Sequence, residues 1–235
     1  MASFCFIVTV KITNQNQEFF IKRCIDSIRR IYPDTPIIIA KSPDTVCDLP
    51  SGKNIRIEEN PYYSTFGALY LFYKHRYADY AYILHDSMCI TRQLPDPTGD
   101  IRFLYWFGKK DIAHNHYRRG YEKLLPTTDV DRLMSTLSYG CFGCSFLIRH
   151  SCIEKTQLLD ILPNVQTKYD FEAMERIVAY LSIKHGLIDP EIALCGDIFE
   201  SRVNPWTNGL TYASLDDILR LKFPQPIFKS IVSRI

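Results

Sequence analysis

NIRIEENPYYSTFGALYLFYKHRYADYAYILHDSMCI, residues 54–90, decides the fold. The hydrophobic period changes twice within it. Ile55 and Ile57 alternate with charged neighbours, as in a half-buried strand, and Asn60-Pro61 breaks the run. From Ser64 to Arg76 the apolar Phe66, Leu69, Tyr70 and Tyr73 recur at helical spacing, which predicts a helix with Ser64 as N-cap. Tyr80–Leu84 is a near-continuous apolar run, too short for another helix and rich in strand formers. It is expected to be a central strand covered on both faces. His85-Asp86-Ser87 follows at its carboxyl end.

Upstream, the same alternation appears once more. Phe4–Val10 reads as a buried strand and KITNQNQ (11–17) as a polar loop. A helix from Gln17 to Ile31 carries Phe20, Cys24, Ile25, Ile28 and Ile31 on one face and Lys22, Arg23, Asp26, Arg29 and Arg30 on the other. Pro33 stops it, and Thr35–Ala40 is a second strand. Two strand-helix-strand units with right-handed crossovers therefore precede Asp86. The expected fold class is α/β: a Rossmann-type, mostly parallel sheet with helices on both faces. A chain of 235 residues suits a single domain of this kind.

Open α/β sheets bind ligands beyond the carboxyl ends of their strands, where helix N-termini present backbone N–H groups. A carboxylate emerging there faces a cleft and is a hard ligand for Mg²⁺ or Mn²⁺, which then bridges to substrate phosphates. The other common use of Asp at a strand end is to close a turn.

A net charge of +2 argues against a dedicated nucleic-acid surface. No apolar run approaches the roughly 20 residues of a membrane span, so no transmembrane segment is expected. SFCFIVTV (3–10) lacks a basic leader and a cleavage site, and with no export signal the eight cysteines read as reduced thiols in a cytoplasmic protein. The 15 Tyr and 14 Phe suit either base and sugar stacking or a large aromatic core.

Asn60, the Gly67-containing helix, Ala-Asp-Tyr-Ala-Tyr-Ile-Leu (78–84) and then Asp86 together resemble the nucleotide-sugar-binding half of GT-A-type glycosyltransferases. The resemblance runs in order through residues 4–90 and loosely through 138–200. It implies residues 1–98 as the donor half and 99–235 as the acceptor half of one GT-A-like domain. It also implies transfer of a sugar from a nucleotide-diphosphate sugar donor to a glycan or other hydroxyl acceptor, assisted by Mn²⁺ or Mg²⁺. In the family an Asp-x-Asp motif holds the metal; here Asp86 matches the first acid, with Ser87 beside it, and Met88 stands at the second. Thr9, Lys11 and Thr13 match the nucleoside-binding loop after the first strand. Asp44, in a Pro-Asp-Thr turn that favours Asp for backbone reasons as well, matches the acid after the second. The family's late metal-binding histidine has no counterpart after His185, and Asp197 is the available substitute. Met88 and the missing histidine keep open a second reading, a catalytically silent glycan- or protein-binding module. A nucleotidyltransferase also uses strand-end acids, but KITNQNQ lacks the glycines of a phosphate loop.

Beyond the turn-rich joint at 91–100 the pattern is less regular. IRFLYWF (101–107) reads as one strand. Tyr121–Leu125 is a candidate helix, and the preceding His114 and His116 sit where an extended segment would face them one way. Their HNH string is too short to signal a nuclease. Cys141-x-x-Cys144 with His150 and Cys152 has zinc-type ligands, but the strand-like SFLIR between them holds the halves apart. A Gly-rich turn from Gly140 to Gly143, able to approach a sugar with bare backbone, is preferred. Ser151–Leu162 reads as a helix ended by Pro163, and Tyr169–His185 as another capped by Gly186, with Phe171, Met174, Val178 and Leu181 buried and Glu172 paired to Arg176 in solvent.

Glu175 lies on the border of that apolar face. Inverting transfer needs a carboxylate to take the acceptor's proton, and in the resembled family it sits near a helix start on the acceptor side. YDFEAMER (169–176) loosely fits, which makes Glu175 the candidate base and Asp170 the runner-up; an ordinary solvated or Arg-paired helix acid fits the pattern equally. The last strand is EIALCGDIFES (191–201), with Arg202 and Asn204-Pro205-Trp206 after it. A helix near Ser214–Leu221 and the tail FPQPIFKSIVSRI (223–235) then cover the sheet or touch a membrane surface.

Overall fold

Phe4–Val10 (β1), Glu18–Ile31 (α1), Ile37–Lys41 (β2), Ile55–Glu59 (β3), Thr65–His75 (α2) and Tyr80–His85 (β4) follow one another in the first part of the chain. Then come Met88–Ile90 (β5), Ile101–Phe103 (β6), Trp106–Gly108 (β7), His114–Leu124 (α3), Thr127–Thr136 (α4), Tyr139–Cys141 (β8) and Phe146–Arg149 (β9). Leu158–Ile161 (α5), Lys168–Lys184 (α6), Ile188–Ala193 (β10), Leu215–Arg220 (α7) and Ile227–Lys229 (β11) complete it. The computed structural model describes residues 2–14, 17–108, 113–199, 213–220 and 225–229.

The main sheet has seven strands in the order β10-β6-β9-β4-β1-β2-β3. β1 pairs in parallel with both β2 and β4, and β2 with β3, so the two strand-helix-strand units form one parallel half. β9 inserts antiparallel between β4 and β6, and β10 adds in parallel at the edge. β1 and β4 are buried almost throughout, as continuous apolar runs in a doubly covered sheet must be. The Rossmann-like, mostly parallel α/β architecture expected from the sequence is the one observed.

Several local expectations are corrected. IRFLYWF is two strands: the chain leaves the main sheet after Phe103, and Trp106–Gly108 pairs instead with Tyr139–Cys141. The His114 and His116 segment begins a helix entered through Ala113 at φ 51°, not an extended stretch. Residues 151–162 form short helical turns broken at Gln157 (φ 58°), with only Leu158–Ile161 α-helical. Ser64 makes no side-chain cap; its φ of 52° turns its carbonyl toward Asn60, whose Nδ2 donates to it at 2.8 Å. Gly67 follows from the same contact, because a Cβ there would lie 1.3 Å from Asn60 Oδ1.

Two arginines assigned to solvent are buried. Arg23 donates to the Ala213 carbonyl at 2.7 Å and lies over Phe19, Phe20 and Phe228. Arg176 is 5% exposed and bonds the Glu172 carbonyl rather than its carboxylate, between the rings of Tyr117 and Phe107. α4 has no counterpart in the sequence reading. Arg202 and Asn204-Pro205-Trp206 lie outside the described residues. Of the tail, Ile227–Lys229 docks on the protein as β11, antiparallel to β5. Among the described residues no helix is long and apolar enough to cross a membrane.

Candidate active site

At the carboxyl ends of β1, β2, β3 and β4 the loops leave a cleft of about 90 Å³, lined by Thr9, Val10, Lys11, Ser42, Asn60, Tyr63, Ser64 and His85. Its place follows from topology: β1 and β4 are neighbours whose following loops part in opposite directions. Lys11 Nζ pairs with Asp44 at 2.9 Å and lies 5.7 Å from the centre of the Tyr63 ring. The hydrogen bond from Lys11 holds the Asp44 carboxyl below its usual range. The loop and acid expected after the first two strands therefore meet at the cleft. Thr9 lines it but is spent on the sheet, donating to the Leu84 carbonyl at 3.2 Å, and Thr13 lies exposed and is not among the lining residues.

His85 connects this cleft to the second half of the chain. Its Nε2 is 2.7 Å from the Gly143 carbonyl, which can only accept, so Nε2 carries the proton. The Gly143 amide in turn donates to Glu175 Oε1 at 2.7 Å. Gly143 is needed at φ 64°, and a Cβ there would approach His85 Nε2 to 3.1 Å. The expected Gly-rich turn thus exists, but its backbone is used to bring His85 and Glu175 to either side of one residue. Gly140 is glycine because the Phe107 ring lies where its Cβ would be.

Glu175 is 14% exposed, with Oε2 3.3 Å from Arg176. Burial pushes its carboxyl up to about 7, against the opposing pull of Arg176 and the Gly143 amide. Asp170 is of a different kind. It closes a capping box with Thr167 at the start of α6, and its Oδ2 accepts from the amides of Gln166 and Thr167 and from Lys123 Nζ at 2.7 Å. Burial alone would raise its pKa; Lys123 and the amides outweigh this and hold it below the usual range. Its Oδ2 is committed to the helix start and to Lys123, a structural role for the runner-up base.

Asp86 stands where β4 ends, as expected, but is only 1% exposed and is not among the residues lining the cleft. Its amide donates to the Thr9 carbonyl at 3.1 Å, locking β4 to β1. Next to it, Ser87 Oγ accepts from Lys229 Nζ at 2.8 Å. Asp197 lies apart, in a turn bridged to Trp106, with Oδ1 accepting from the Phe199 amide. Mg²⁺ and Mn²⁺ call for a shell of oxygens. Among the described residues no three His, Cys, Asp or Glu side chains gather to hold an ion, and the residue next to Asp86, Ser87, carries the Lys229 ammonium. An ammonium bonded to the neighbouring Ser87 disfavours a divalent cation at Asp86. Cys141 and Cys144 are buried free thiols, and among the described residues they do not gather with His150 and Cys152 into a metal site.

His85 and Lys229 were missed from the sequence as site residues. His85 was signalled only by adjacency to Asp86, and Lys229, 142 residues from Ser87, by nothing local.

Comparison with solved structures places the fold. The chain is similar to a galactosyltransferase, LgtC, in complex with donor and acceptor sugar analogues, at a TM-score of 0.53, with 12% identity over 97% of this chain and 87% of that one. An active-site mutant of LgtC gives a TM-score of 0.52 at 11% identity over the same shares. No family model matches the sequence, and no curated protein matches it. The likeness is one of fold: a GT-A-type, glycosyltransferase-like architecture.

Proposed function

We propose, with that fold as premise, that the chain transfers a sugar from a nucleotide-diphosphate donor to a hydroxyl acceptor, with Glu175 as the base. The observation that carries the reading is the single-residue bridge at Gly143, which links a buried carboxylate, Glu175, through one backbone unit to the histidine lining the strand-end cleft. In this reading the nucleoside lies against Tyr63 and Lys11, and the diphosphate runs toward the end of β4. Glu175, whose pKa near 7 combines basicity with a useful ionised fraction, takes the acceptor hydroxyl's proton as the oxygen attacks the anomeric carbon, whose bond to the diphosphate oxygen breaks and releases the nucleoside diphosphate. Arg176 and the Gly143 amide hold the carboxylate in place. The acceptor, a glycan or another hydroxyl compound, enters from the α6 side, and the cytosol is the proposed compartment.

The test is a panel of sugar nucleotides, with and without Mn²⁺, followed by donor binding and donor hydrolysis or transfer. One donor is expected to bind and turn over, with Glu175→Gln retaining affinity and losing turnover by about 10²-fold or more. A panel in which no sugar nucleotide binds under either condition contradicts the proposal. The burial of Asp86 favours, as a second reading, a module that binds the donor without turnover. Affinity without transfer to any acceptor would select it.

A further inference from the structure

The β5–β11 pair brings a distant lysine to the end of β4, where Asp86 follows the cleft-lining His85. β5 begins directly after Asp86-Ser87, and the antiparallel register sets Lys229 opposite Met88, the position of the motif's missing second acid. The placement is well held: the Thr91 amide and hydroxyl donate to the carbonyls of Pro226 and Gln225 at 2.9 Å each, and the Tyr105 hydroxyl donates to the Ile227 carbonyl. Lys229 is 9% exposed and its Nζ donates to Ser87 Oγ at 2.8 Å. Its charge also reaches Glu175 and Cys24, opposing the effect of burial on both. A buried ammonium is costly unless anions or acceptors surround it, and a compact three-donor head suits phosphate oxygens.

We infer that Lys229 is the cation of the donor site: its ammonium, anchored on Ser87 beside Asp86, contacts the diphosphate of the nucleotide donor and supplies the countercharge that a divalent ion supplies elsewhere. The inference rests on the nucleotide-sugar reading above. It accounts together for Met88 at the second position of the resembled motif, for the ammonium on the residue next to Asp86 and for the pairing of β11 with β5. Donor binding is then independent of metal.

Calorimetric titration of the full chain with UDP, GDP, CDP and ADP, in EDTA and in Mn²⁺, tests it. The expected result is a nucleoside diphosphate whose Kd agrees within about twofold between the two conditions. Lys229→Met should weaken that diphosphate at least tenfold, about 1.4 kcal/mol, while leaving the affinity for the parent nucleoside unchanged, which also shows that the variant is folded. Ser87→Ala, which frees the anchor and leaves the strand intact, should weaken the diphosphate in the same direction. Binding that requires Mn²⁺, or a Lys229→Met protein with unaltered diphosphate affinity, overturns the assignment of Lys229 while leaving the transferase reading standing. Failure of every nucleoside diphosphate to bind in both conditions removes both.

Discussion

Replacing Glu175 by glutamine should make the protein more stable, and by an amount that grows with pH. Folding moves this carboxyl from an ordinary 4.5 to about 7, chiefly because burial opposes its charge. A folded-state pKa above the unfolded one means that the acid costs nothing while protonated in both states. The cost appears as pH rises above 4.5 and is complete above 7. A shift of ~2.5 units at 1.36 kcal/mol each is about 3 kcal/mol. Glutamine resembles the protonated acid and can still accept from the Gly143 amide, so constant effects, such as altered contact with Arg176, cancel in the pH dependence. For a chain of this size the difference in Tm between variant and wild type should widen by roughly 6–12 °C between acid and mildly alkaline pH. Differential scanning fluorimetry across that range reads it directly. A difference in Tm that does not change with pH would mean that Glu175 titrates as an ordinary surface acid, and the argument for it as a base would fail with it.

Asp170→Ala should lower stability near neutral pH by about 2 kcal/mol, through the lost cap and the Lys123 pair. Because its pKa is depressed, the deficit should shrink as acid protonates the wild-type group; urea unfolding at neutral and acid pH checks both parts. Gly67→Ala should cost about 1–3 kcal/mol by driving a methyl into Asn60, and a double-mutant cycle with Asn60→Ala should show strong coupling; additive effects would contradict the contact. Asp44→Ala should change stability by less than about 0.5 kcal/mol, since its pair with Lys11 is exposed, yet weaken donor binding severalfold. Unchanged donor affinity would leave Asp44 a turn residue only.

The parallel half was legible because its signals are local. β1, α1, β2, β3, α2 and β4 each carry their own period and punctuation, and Asp86 falls at the predicted strand end. The placement of Glu175 on the edge of an apolar face was readable for the same reason. What the sequence withheld was pairing across distance. Nothing around Ile227–Lys229 announces a strand until β5 is there to receive it. Nothing in IRFLYWF shows that Trp106–Gly108 prefers Tyr139–Cys141 to the main sheet. Arg23 and Arg176 read as surface charges because their aromatic neighbours come from other elements: Phe228 in one case, Phe107 and Tyr117 in the other. The hub at Gly143 looked like bare backbone for a ligand, whereas both its amide and its carbonyl are taken by side chains that are 32 and 58 residues away in sequence.

The most direct measurement is a crystal structure of the chain with an intact sugar nucleotide chosen from the binding panel. The account predicts the base between Tyr63 and Lys11, the diphosphate against Lys229 at the end of β4, and the anomeric carbon on the side of Glu175, with room for one hydroxyl between them. A nucleotide bound at another face of the sheet, or a sugar directed away from Glu175, would contradict it.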